Sequence, residues 1–81
     1  LGDTHPFTYY AVAGLGRMLR DRGDLACAEP LLREAWEGCR RLLGDGNENT
    51  AKQAKHLGGV LLARRKFAEA VPVLEAATAL E

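Results

Sequence analysis

The sequence contains no serine, and with it goes the usual nucleophile of a hydrolytic triad. Thr, Cys and the acidic residues form no replacement pattern. Aromatic residues are scarce, at 6%, and Val and Ile together are few, which weighs against a sheet protein. No apolar run is long enough to span a membrane. No charged-then-apolar leader opens the chain, so a signal peptide is not expected. The opening Leu1, in place of Met, suggests a fragment or a processed product. Excess charge of either sign is also missing. Eleven basic residues balance 11 acidic ones, which argues against bulk attraction to nucleic acid or an anionic membrane as partners.

The residues that carry special chemistry are few and badly spaced for it. Cys27 and Cys39 fall in one predicted helix, about 18 Å apart along its axis, too far for a mutual disulfide. They read as free thiols in a reducing compartment, which points to the cytoplasm. Cys39 falls in a buried stripe and Cys27 beside it. His5 and His56 are the only histidines, and neither belongs to a set with metal-ligand spacing. His5, before Pro6, reads as part of a helix entrance. Gly14-Leu15-Gly16 follows no strand, opens no helix and has no lysine behind it, so it is no phosphate loop. No cofactor, metal or catalytic activity is expected.

What is present is helix formers and repetition. Ala, Leu, Arg and Glu dominate a chain of 81 residues, enough for one small all-α domain. Shifted by 42, the sequence falls on itself: Leu1-Gly2-Asp3 returns as Leu43-Gly44-Asp45, Leu15-Gly16 as Leu57-Gly58, and Leu19 as Leu61. Ala26, Ala28, Pro30, Leu32 and Ala35 return as Ala68, Ala70, Pro72, Leu74 and Ala77. Internal repetition at such a period means stacked supersecondary units, here repeat one at about 1–42 and repeat two at about 43–81.

Each unit reads as two helices. Thr8, Val12, Leu15 and Leu19 form a stripe with helical spacing, and Leu25, Ala28, Leu32, Ala35, Cys39 and Leu42 form a second. Thr50, Ala54, Leu57 and Leu61, then Phe67, Ala70, Leu74 and Ala77, repeat the plan. Gly23-Asp24 supplies the turn, a glycine free to take positive φ followed by a helix-capping aspartate. Arg65 and Lys66 replace that pair in the second unit, so its turn is expected to be strained or looser. Helices are predicted near 6–22, 25–43, 48–64 and 67–80, with Leu15, Leu19, Leu32, Leu57, Leu61 and Leu74 buried. Gly16 and Gly58, mid-helix in both units, are read as close-approach points for the paired helix. Pro30 and Pro72 are read as recurrent bends, and Trp36 as wedged against the next unit.

The run Leu15-Gly16, Leu19, Gly23, Leu25, Ala28, Leu32, Ala35 resembles the consensus of the tetratricopeptide repeat, and Leu57-Gly58 through Ala77 matches it again. The 42-residue period, the linker Leu1 to Pro6 and the segment Ala28-Glu29-Pro30-Leu31 are similar to the longer kinesin light chain variety. The resemblance implies two antiparallel helix hairpins of an α-solenoid, a right-handed superhelix, acting as a scaffold for a protein or peptide partner. It implies a concave groove lined by the first helix of each pair: Tyr10, Ala13, Gly14, Arg17, Arg20, Lys52, Lys55, His56 and Gly59. Gly14 and His56 stand where kinesin light chains carry an asparagine associated with gripping a peptide backbone.

Charge is segregated along the chain. Segments 7–22 and 49–66 carry a balance of plus seven and the remainder minus seven, so the groove is expected to favour an acidic or C-terminal peptide. The competing expectation is a spacer that binds nothing. Both ends read as interior cuts through an array, and Phe67 to Leu80 holds more apolar positions than one stripe can bury. Self-association through the exposed repeat ends is therefore expected.

Overall fold

The computed structural model describes residues 5–78, and within them the chain forms four helices and no strand. They are α1 (Pro6–Asp21), α2 (Leu25–Leu43), α3 (Glu48–Ala63) and α4 (Phe67–Ala77). Local chemistry sets their ends. His5 caps α1, its Nδ1 accepting the Phe7 N–H at 3.3 Å, and Pro6 takes the first turn, where its missing N–H costs nothing. Gly23 adopts φ of +88°, and Asp24 then caps α2 by accepting the Cys27 N–H at 3.2 Å. Gly44, at φ of +85°, ends α2, and Asn47 caps α3. The predicted boundaries hold within two residues for the first three helices. The fourth stops at Ala77 with Thr78 as its C-cap, and residues 79 and 80 of the expected span lie outside the described residues.

The second turn shows what the loss of Gly-Asp does. Arg65 holds φ of +62°, the one non-glycine among the described residues in the left-handed region, and Lys66 makes no side-chain cap. The turn is fastened from a distance instead. Arg64 Nη1 donates to Glu29 Oε1 at 2.8 Å and Lys66 Nζ to Glu29 Oε2 at 3.1 Å, while Arg33 Nη2, one turn further along α2, donates to Oε2 at 3.3 Å. Glu29 is buried, at 7% exposure. Burial alone raises its pKa, but the hydrogen bonds from Lys66, Arg33 and Arg64 overrule it and hold the carboxyl below its ordinary value. The turn is strained yet tied across the repeat boundary.

Packing follows chain order: α1 on α2, α2 on α3, α3 on α4, with a narrow seam between α1 and α3. Leu32, Leu57, Leu61, Val60 and Cys39 are the largest side chains fully withdrawn from water. Thr50 Oγ1 donates to the Cys39 carbonyl at 3.2 Å and pins α3 to α2. The glycines at 16 and 58 do admit the partner helix. A Cβ on Gly16 would lie 2.8 Å from Leu32 Cγ, and one on Gly58 would lie 2.6 Å from Leu74 Cγ. Gly38 does the same service for the Tyr9 ring, with which its Cβ would overlap. Helices α2 and α4 run continuously through Pro30 and Pro72.

The expected core needs correction at its ends. Leu15 is 45% exposed, Phe67 55% and Leu42 38%, while Leu19 and Leu74 are half-buried. In α1 the buried residues are Tyr9, Ala13 and Gly16, one place over from the expected stripe. The reason is coverage. Helix α3 is packed by α2 on one side and α4 on the other, so Leu57 and Val60 are at 0% exposure. Their counterparts one repeat earlier, Leu15 and Met18, face outward because α1 is packed chiefly by α2.

Candidate functional site

The face shared by α1 and α3 carries the residues expected to line a groove, and the structure brings about half of them into one hollow. Tyr10, Ala13 and Arg17 from α1 meet Asn49, Lys52, Gln53 and His56 from α3 around a cavity of about 240 Å³. Gly14, Arg17 and Arg20 border a neighbouring hollow with Met18, Asp21 and Arg22. Lys55 and Gly59 line neither, although both are exposed on α3. Ala13 is almost fully buried and forms part of the floor. At Gly14 and Gly59 a Cβ would meet nothing within 4 Å, so both leave open surface.

Asn49 and Gln53 belong to the hollow although sequence reasoning passed over them. The signal was there: 49, 52, 53 and 56 follow the i, i+3, i+4, i+7 spacing of one helix face. The expected lining from α3 was Lys52, Lys55, His56 and Gly59, which left out the two amides.

The charge in the hollow is one-signed. Arg17 and Lys52 are its ionised lining residues, and no carboxylate lines it. Arg20 reaches in from α1, with Nη1 3.3 Å from His56 Nδ1 and with Nε and Nη2 on Asp21 Oδ1 at 3.3 Å. A guanidinium only donates, so His56 Nδ1 accepts and the ring proton resides on Nε2. That Nε2 is buried and has no protein partner; Gln53 Oε1 shares that condition. Burial first, then the charges of Arg17, Arg20, Lys55 and Lys52, lower the His56 pKa from 6.5 to about 4. The imidazole is neutral at physiological pH.

Elsewhere the polar chemistry is structural. Arg41 Nη2 donates to the Tyr9 hydroxyl at 2.9 Å, and Arg40 lies 4.7 Å over the Trp36 ring while binding Asp45 at 2.9 Å. Trp36 is half-buried and borders a cleft with Pro72 and Ala76 of the second repeat. Both thiols are held above their ordinary pKa: Cys27 by its hydrogen bond and charge contact with Asp24, Cys39 by burial. Among the described residues no three His, Cys, Asp or Glu side chains converge as metal ligands, and no helix is long and apolar enough to cross a membrane.

A family model described as tetratricopeptide repeat matches residues 7–80. Comparison with curated proteins and with solved structures gave no match.

Proposed function

The chain belongs to the tetratricopeptide repeat family, whose repeats mediate protein–protein interaction, and from that premise we propose that the α1–α3 face holds an acidic segment of a partner protein. The observation that carries this reading is the hollow of about 240 Å³ between the two helices, with Arg17 and Lys52 on its walls and no carboxylate lining it. Arg20 adds a donor beside it. Charges arranged this way set partner choice and on-rate more than raw affinity. Catalysis has no part in the proposal, since the family is typically a scaffold. The 42-residue register suits the kinesin-light-chain-like variety of repeat, and the two free thiols suit the cytoplasm.

A peptide library screened against the chain tests the reading. Hits should be acidic, and Arg17→Ala and Lys52→Ala should each weaken them by roughly three- to tenfold, the effect shrinking in high salt. Basic hits, or acidic hits indifferent to both substitutions, would refute it.

A second surface has its own observation. Leu15 and Met18 are 45% and 46% exposed where Leu57 and Val60, their counterparts, are at 0%; Val71, at 56%, stands where Glu29 is buried. These outer faces of α1 and α4 are the proposed sites of self-association, and they also suit neighbouring repeats in a spacer array. Sedimentation from micromolar to millimolar concentration separates the cases. A single monomer mass throughout would leave only the spacer role.

A further inference from the structure

His56 lines the groove, and four cations act on it. Arg17 and Arg20 face it from α1, and Lys52 and Lys55 act on it from its own helix. Helices α2 and α4 pack against α3 as well, but they supply none of the principal charges acting on the ring. Asp21, the carboxylate beside Arg20, is bound to that guanidinium at 3.3 Å. Tyr10, Asn49 and Gln53 are neutral lining. The single contact that fixes the tautomer is the Arg20 Nη1 donation to Nδ1 at 3.3 Å.

We propose that an anionic group entering this hollow binds together with a proton on His56, so that the groove holds acidic ligands more tightly as pH falls below neutrality. The proposal rests on the acidic-segment reading of the same groove and adds its regulation. Negative charge between Arg17, Lys52 and Arg20 cancels the repulsion that now opposes an imidazolium. A proton from solvent then enters at Nδ1, the ring nitrogen whose lone pair now accepts from Arg20. An imidazolium has no acceptor left, so Arg20 must let go of it. The freed Arg20 Nη1 and the new Nδ1–H both become donors for the ligand. One proton thus recruits two hydrogen-bond donors, and linkage requires that whatever makes the bound state take up a proton also makes acid strengthen binding.

Inorganic sulfate is the probe, because it keeps its charge across the range used. The ring signals of His5 and His56 are followed by NMR in the 81-residue chain, titrated in sulfate and in sodium chloride of equal ionic strength. Backbone amides of Arg17 and Lys52 report sulfate binding. Exposed His5 is the internal control. The expected result is a His56 midpoint near 4 in chloride, moved up by roughly one to two units in sulfate. Sulfate affinity should be about two- to tenfold tighter at about pH 5 than at about pH 7.5, the range that a rise of about one to two units in the His56 midpoint gives by linkage, and His56→Gln should flatten that slope. If sulfate shifts the Arg17 and Lys52 amides but moves the His56 midpoint no further than chloride does, proton coupling is overturned and the groove reading survives. If sulfate moves neither, both fall. The ring titration needs no variant, so misfolding of His56→Gln leaves the test intact.

Discussion

Gly58 and Gly59 are adjacent in α3, yet alanine at each should change stability in opposite directions. At Gly59 a Cβ meets nothing within 4 Å, so Gly59→Ala gains the helix-propensity difference alone, about 1 kcal/mol. At Gly58 the same methyl overlaps Leu74 Cδ2 and lies 2.6 Å from Leu74 Cγ. Leu74 must rotate or α4 must back away, which costs about 1–3 kcal/mol in a packed core. Set against the same propensity gain, Gly58→Ala should be destabilising by up to about 2 kcal/mol. For a domain this small, each kcal/mol moves the melting midpoint by roughly 4–8 °C, so thermal melts followed by far-ultraviolet circular dichroism resolve the pair easily. A double-mutant cycle locates the cause. Leu74→Ala alone loses half-buried apolar contact, but in the Gly58→Ala background it should cost at least about 1 kcal/mol less, because it also relieves the overlap. Gly58→Ala proving as stabilising as Gly59→Ala, or no coupling to Leu74, would refute the close-approach argument for α3 and α4.

Glu29→Gln removes the charge that binds Arg33, Arg64 and Lys66 across the repeat boundary; with those cations about a third exposed, a loss of about 1–3 kcal/mol is expected in urea titration. Because the Glu29 pKa is lowered on folding, its contribution should be complete above the ordinary carboxyl range and lost as pH falls through the folded value, and the variant should lack that component. Arg65→Gly should stabilise by about 0.5–1 kcal/mol, since φ of +62° strains any side chain; crystal or NMR coordinates with a negative φ there would explain a null result and refute the strain. His56 binds its proton only near pH 4 when folded, whereas the unfolded chain takes it up near about 6.5. In that window the unfolded state holds more protons, so His56 makes stability rise with pH, and His56→Gln should flatten the acid limb between about 4 and about 6.5.

Helix ends were legible because their causes are local. Pro6, Gly23-Asp24 and Gly44 act on their own turns, and each did what its chemistry dictates. Burial on α1 was less legible, because whether Leu15 or Tyr9 is covered depends on how many helices flank α1, which no spacing encodes. The role of Glu29 was not legible: its partners Arg64 and Lys66 lie 35 and 37 residues away, and only the fold brings them together. Gly38 gave no signal by recurrence, since Leu80 stands at its place in the second repeat. In the groove, Arg17, Lys52 and His56 were expected from the resemblance to a tetratricopeptide repeat, whose first helices line the concave face. The neutral tautomer of His56 was not, because it depends on Arg20 reaching across from the other helix.

The claim that the α1–α3 face is the binding surface is tested most directly by mapping amide shifts on the labelled chain during titration with a hexaglutamate peptide and, separately, a hexalysine peptide. Saturable shifts are expected with the acidic peptide, centred on Tyr10, Arg17, Lys52 and His56 and diminished by salt, with no matching response to the basic one. Shifts centred instead on the mixed-charge hollow of Glu37, Arg40, Arg41 and Asp45, or equal responses to both peptides, would contradict it.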